Sequence, residues 1–180
     1  RTFFGVFYLL IPHSIALFFV SILSSILLFL TFWTILFTGR YPRAWFDTQL
    51  GLLNWNARFT ASIFNCIDGY PAFGLSAGHP CVHLDIPYPE AVSRSHTFIV
   101  GLFGPILLIP HLFILSVRNL LVLFLNLLAF WSILFTKRYP KSWFDWFVEQ
   151  MRWGMRINAY LYFMTPDYPP FTGKEVQIMH

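Results

Sequence analysis

The chain has 180 residues, of which 57% are hydrophobic, 21% aromatic and only 11% charged. A water-soluble domain carries about a quarter charged residues, and a body this small has too much surface to hide so much Phe, Leu and Ile. The net charge of +4 is not spread over a polar surface, so a nucleic-acid partner is excluded and lipid is expected to cover part of the fold.

The first element, Thr2 to Thr38, is a nearly uncharged apolar run. A single spanning helix needs roughly 20 residues, so a hairpin of two short spans is expected, with Ser21, Ser24 and Ser25 near its tip. One long helix kinked at Pro12 is the alternative. His13 follows that proline. The chain opens on Arg1 already inside the run, and further residues upstream are expected.

Next comes "RYPRAWFD", Arg40 to Asp47. Arg40 and Arg43 are placed to meet anionic headgroups, with Tyr41 and Trp45 as aromatic anchors at the interface. Pro42 ends what precedes it. A helix over Arg43–Cys66 should follow.

Gly74–Ser95 is the one polar stretch between the apolar runs. "HPCVHLD" puts His79, Cys81, His83 and Asp85 at alternate positions, which share one face of a strand. His79, Cys81 and His83 are weak metal candidates, and a polar strand face is the simpler reading. Pro87 and Pro89 then turn the chain. Two cysteines, Cys66 and Cys81, make no disulfide framework and should stay reduced.

The second apolar run, Thr97 to Thr136, is interrupted at Arg118-Asn119. Charge is costly at the bilayer centre, so these residues are expected at a hairpin tip near the opposite surface; a kink at Pro110 is the alternative. His111 follows that proline. Then Lys137, Arg138, Tyr139, Lys141 and Trp143 repeat the basic-aromatic anchors. In the following helix, Lys141–Met164, Trp143, Phe147, Met151 and Met155 share a face, and Asp145, Glu149, Arg152 and Arg156 form a polar stripe. Too polar to span, this helix should lie in the membrane surface or pack beneath the hairpins as a bundle.

The two runs are near-copies. "ILFTGRYPRAWFD" begins at Ile35 and "ILFTKRYPKSWFD" begins 98 residues later, at Ile133. Between Thr31–Asp47 and Ala129–Asp145, 12 of 17 positions are identical. The same offset aligns His13 with His111, Trp55 with Trp153, Arg58 with Arg156, Tyr70 with Tyr168 and Phe73 with Phe171. This reads as a tandem duplication: a first membrane repeat over 1–75, a polar inter-repeat segment over 76–96, a second repeat over 97–173 and a tail over 174–180. The expected fold is an all-α integral membrane protein. Each repeat is a transmembrane helical hairpin followed by an amphipathic interfacial helix, and a short strand-like segment lies between the repeats. The basic residues gather on one side, so the termini and amphipathic helices are expected on the cytoplasmic side of a multi-pass protein.

The set "LDIPYPEAVSR", "IPH", "ILFTKRYPKSWFD", "RW…R…AY" and "DYPPF" resembles the bacterial membrane family known as domain-of-unknown-function 4389. The second copy resembles it from about Val82 to Phe171 and the first from Ile11 to Phe73. In the first copy "DGYPAF" stands where the second has "PDYPPF". The resemblance implies a bacterial inner-membrane placement and supplies no catalytic residues.

Candidates for chemistry are few. His13 and His111, one per copy, could face each other across a pseudo-two-fold axis and hold a haem or chlorin, or relay protons. The plainer reading is a histidine bonding backbone freed by the preceding proline. Asp47 with Arg58, and Asp145 with Arg156, are too far apart to meet within one helix, about 16 Å over eleven residues, so they are read as pairs between copies. Alternatively the Asp caps its helix and the Arg holds a phosphate. No nucleophile set, phosphate loop or metalloprotease motif is present. The expected function is therefore a non-catalytic accessory or scaffold subunit of a larger membrane complex. It would contact membrane lipids and other membrane-protein subunits and need no cofactor beyond bound lipid. A transporter or lipid-handling protein is the alternative; a cofactor-binding auxiliary of an electron-transfer or photosynthetic complex is a second.

Overall fold

Five helices follow one another in the computed structural model, which describes residues 4–64, 66–67, 70–138 and 140–174. They are α1 (Phe4–Thr38), α2 (Arg43–Ile63), α3 (Arg94–Leu107), α4 (Ile109–Thr136) and α5 (Lys141–Leu161). Tyr139 and residues 175–180 of the tail lie outside the described residues.

The expected hairpins do not form. The 35 residues of α1 make one rod about 52 Å long. It runs unbroken through Ser21, Ser24 and Ser25, because serine hydroxyls can bond back to the preceding turn instead of ending the helix. Ser21 Oγ donates to Leu17 O at 2.6 Å and Ser25 Oγ to Ser21 O at 2.9 Å. α4 likewise continues through Arg118 and Asn119, whose side chains find partners on α5. The long-helix alternative is the one found, and its bend falls at Leu108. Helical hydrogen bonds persist there, from Leu108 N to Gly104 O at 3.0 Å and from Leu112 N to Leu108 O at 2.8 Å. Pro110 removes one donor from the ladder, and Tyr168 Oη donates to the nearby Leu107 carbonyl at 2.9 Å. Thus two stretches, Ile11–Thr38 and Ile109–Thr136, are long and apolar enough to cross a membrane, where four short spans were expected.

The helix ends obey the repeated junction. α1 stops at Gly39, whose φ of +72° is left-handed and whose amide donates to Ile35 O at 2.7 Å. α4 stops at Lys137 in the same way, with φ of +54° and a 2.9 Å bond to Ile133 O. Pro42 and Pro140 then occupy equivalent N-cap positions of α2 and α5, and each carbonyl accepts two amides of the new helix.

Burial is distributed inside out. α1 buries His13, Ser24, Thr31 and Ile35, spaced so that they share one stripe, while Phe18, Phe19, Phe29 and Phe37 are exposed. α4 buries His111, Leu115, Val122 and Ala129 and leaves Phe113 and Phe135 70% and 77% exposed. Such apolar area in contact with water would cost tens of kcal/mol; in lipid it costs nothing.

α2 and α5 pack among the other helices, as the bundle alternative expects. α2 packs against α1 and α5, and α5 also packs against α3 and α4. Phe46, Leu53, Phe147, Trp153, Ile157 and Tyr160 fill the space between them. Buried polar side chains on them are bonded inside: Gln49 Nε2 donates to Ser24 O at 2.9 Å, for example. α3 approaches α1 closely at Gly101, where a Cβ would fall 2.3 Å from the Phe32 ring.

The strand-like segment is also corrected. Residues 79–88 contain no strand, and no strand pairs with them among the described residues. The side-chain amide of Asn54 takes a strand neighbour's place. Its Nδ2 donates to Leu84 O at 2.9 Å, and its Oδ1 accepts from Leu84 N at 2.8 Å.

Candidate functional site

Each half carries one histidine at the helix pair that forms its core. Trp55 Nε1 donates to His13 Nδ1 at 3.0 Å, and Trp153 Nε1 donates to His111 Nδ1 at 3.0 Å. Both imidazoles are fully buried. Rings of the same half enclose them. His13 stacks on Phe59 with centroids 5.3 Å apart and contacts Tyr70 and Phe73. His111 stacks on Phe171 at 3.8 Å and contacts Tyr168. The two histidines therefore sit in separate cages instead of facing one another.

The tryptophan bond fixes the tautomer. An Nδ1 that accepts has a free lone pair, so in the neutral ring the proton is on Nε2. In both halves that Nε2 is buried without a partner among the described residues. A neutral imidazole in this state has no lone pair on Nε2 to offer a haem or chlorin metal. Ligation would require giving up the tryptophan bond or ionising the ring.

The arginines hold loops. Arg58 Nη2 donates to Gly74 O at 2.7 Å, and the equivalent Arg156 donates through Nη1 to Thr172 O at 2.8 Å and through Nη2 to Lys174 O at 2.8 Å. Burial pulls both guanidinium pKa values below the ordinary range, with Arg152 adding to the effect at Arg156. These bonds replace the expected pairs between copies. Asp47 instead meets Arg43 Nε at 3.2 Å on its own helix, and Asp145 is exposed.

The other sequence candidates separate. Arg40, Arg138 and Lys141 are exposed, and Trp45 and Trp143 are half-buried. Arg43 lies 4.7 Å over the Tyr88 ring. Tyr41, expected at the interface, is in the core edge-on to Phe46 at 5.4 Å, and burial raises its pKa. His79 Nδ1 accepts from the Cys81 amide at 3.2 Å, and no three His, Cys, Asp or Glu side chains converge to hold a metal among the described residues.

Two groupings were not foreseen from the sequence. Arg118 lies 4.5 Å over the Trp146 ring and 5.8 Å over Trp153, and its Nε donates to Gln150 Oε1 at 2.7 Å. Gln150 Nε2 in turn donates to Asn119 Oδ1 at 3.0 Å. The spacing of Arg118, Trp146, Gln150 and Trp153 gave no signal across two helices. The second grouping is a cavity of 420 Å³ between α2 and α5, roofed by residues 81–85 and lined by Arg152 and Arg156.

The residues that cage His111 and hold Tyr168, and Arg156 with its Thr172 partner, lie in one stretch. Residues 102–173 match the family model of a domain of unknown function, DUF4389. No curated protein and no solved structure matches the chain. The DUF4389 stretch holds α4, α5, the His111–Trp153 bond and the Arg156–Thr172 bond. Shifted back by 98, every one of these residues falls on a first-half position: His13, Trp55, Arg58 and Gly74, joined by the same two bonds.

Proposed function

We propose that this chain is a non-catalytic integral membrane protein of the bacterial inner membrane, built from two copies of one unit over 1–75 and 97–173. It serves as an accessory or scaffold subunit that packs against partner subunits and lipid. The observation that carries this reading is the inverted burial of α1 and α4. Each buries one narrow stripe, with His13, Ser24, Thr31 and Ile35 on α1 and His111, Leu115, Val122 and Ala129 on α4, and presents many Phe, Leu and Ile outward, which suits lipid or a partner helix and not water. The buried histidines, tied to tryptophan and caged by rings, are fixed parts of the scaffold, and no nucleophile or acid–base pair is assembled around them among the described residues. Arg40, Arg43, Arg138 and Lys141 gather at the ends that follow α1 and α4, which supports a cytoplasmic side there.

The test is extraction followed by co-purification. The expected result is a chain that resists alkaline carbonate, dissolves in mild detergent and brings a stoichiometric membrane partner with it. Release by carbonate would remove the membrane reading; recovery as a lone monomer from native membranes would remove the subunit reading. The cavity between α2 and α5 favours a second reading, a lipid-handling protein, in which the partner is a lipid and not a subunit.

A further inference from the structure

The first half wears a cover that the second half lacks among the described residues. Residues 82–107 lie over the corner where α1 meets α2. Val92 N donates to Gly39 O at 3.0 Å, Tyr88 Oη donates to Tyr41 O, and the Tyr88 ring meets Phe46 edge-on at 5.2 Å. α3 then runs antiparallel along α1, with Arg94 beside Gly39 and Gly101 beside Phe32. On α1 the stripe that contains Phe32 also holds Leu28, Ile35 and Leu36.

Shifted by 98, that stripe reads Asn126, Phe130, Ile133 and Leu134 on α4. Ile35 is fully buried and Leu36 half-buried, whereas Ile133 is half-buried and Leu134 is 57% exposed. The outward face shows no such difference, since Trp33 and Trp131 are 45% and 48% exposed. α4 is packed by α5 and by α3, which runs directly into it. Among the described residues no helix takes on α4 the place that α3 takes on α1.

Asn126 decides between lipid and protein as the missing cover. It stands about 15 Å inside the C-terminal end of α4, it is half-buried, and its side chain makes no hydrogen bond among the described residues. Hydrocarbon offers an amide nothing to bond, whereas a neighbouring helix can.

We infer that this flank of α4 docks a helix of a partner membrane subunit. The partner helix lies antiparallel to α4, places a small residue over Phe130 and brings a hydrogen-bonding side chain to Asn126. The chain's own α3 shows the shape that fits, because it already covers a near-identical surface. A second copy is a poorer occupant for two reasons. Its α3 is already engaged on its own first half. In the register of α3 the position opposite Asn126 is Pro105, whose ring has no hydrogen-bonding group. This rests on the subunit reading above and names the surface it would use.

The test is native mass spectrometry of the full chain in mild detergent, titrated with two synthetic peptides. One is residues 82–107 of this chain; the other is the same peptide with Pro105→Gln. The glutamine peptide should bind one per chain, about threefold or more tighter than its parent. In the chain, Leu134→Arg should weaken it at least about tenfold. Asn126→Leu should erase the difference between the peptides, and Trp131→Gln, on the outward face, should change neither. Each variant is first checked for an unchanged near-ultraviolet circular dichroism spectrum. No binding to wild type, or equal binding to wild type and Leu134→Arg, would overturn the surface. Equal affinity of wild type for the two peptides would overturn the role of Asn126. A wild-type dimer that Leu134→Arg dissolves would overturn the partner in favour of a second copy. Co-purification is scored separately, so a stoichiometric partner retained by Leu134→Arg leaves the subunit reading standing while this surface fails.

Discussion

Trp153 donates its indole proton to His111 across 42 residues, and Trp55 does the same to His13 across the same separation. Each bond lies between a long apolar helix and the helix that folds back on it. It satisfies two polar groups that would otherwise be buried alone.

Trp153→Phe should therefore destabilise the detergent-solubilised protein by about 1–3 kcal/mol, because it leaves His111 Nδ1 buried without a donor. Adding His111→Phe should cost less than the sum of the two single changes, since the orphaned acceptor is then gone. Thermal melts of the four proteins close the cycle. Additive losses would show that the bond contributes nothing beyond packing.

Lys137 holds a left-handed conformation that its first-half counterpart, Gly39, adopts freely. Lys137→Gly should relieve about 1 kcal/mol of backbone strain and raise the melting temperature. Gly39→Lys should lower it. A drop in the Lys137→Gly melt would mean that the lysine side chain contributes more than its backbone costs.

Arg118 gives opposite expectations in two assays. As an isolated segment, α4 should insert into a bilayer more readily with Arg118→Leu, by up to about 3 kcal/mol. In the whole chain the same change removes the bond to Gln150 and the contact with Trp146, so it should lower thermal stability. Glycosylation mapping reads the first effect and melting the second. A whole chain made more stable by leucine would show that the arginine's partners do not offset its burial.

The two cysteines should label at very different rates. Cys81 is exposed, whereas burial pushes the Cys66 thiol up to about 11. At pH 8 a thiol with that pKa is about one-thousandth thiolate. Maleimide should modify Cys81 first, and Cys66 should speed up about tenfold per pH unit as the thiolate fraction climbs towards its pKa. Equal rates at pH 8 would contradict the burial.

Much of this was legible in the sequence. The junctions at Gly39-Arg40 and Lys137-Arg138, the proline starts of α2 and α5 and the all-helical class follow from residue types alone. The histidines were visible, but their partners were not recognised. Trp55 and Trp153 stand 42 residues beyond them in both halves, and that shared spacing was the available signal. The hairpins failed for a local reason. Serine back-bonding keeps α1 helical, and Trp146 with Gln150 accommodates Arg118 without a turn. The strand failed because Asn54 supplied from a helix the pairing that a neighbouring strand would have given. The cavity was invisible because α2 and α5 meet only in the folded chain.

The Trp–His bonds have a consequence for the order of assembly. Each closes a loop of 42 residues within one half, and loop-closure cost grows only slowly with length. The first half holds all the partners of its own closure and can form it while the second is still being synthesised. The packing of α3 on α1 must wait for residues 94–107, and that of α2 on α5 for the second half. Folding should then proceed as two local closures followed by one docking step, with the docked interface the last to form and the first to open.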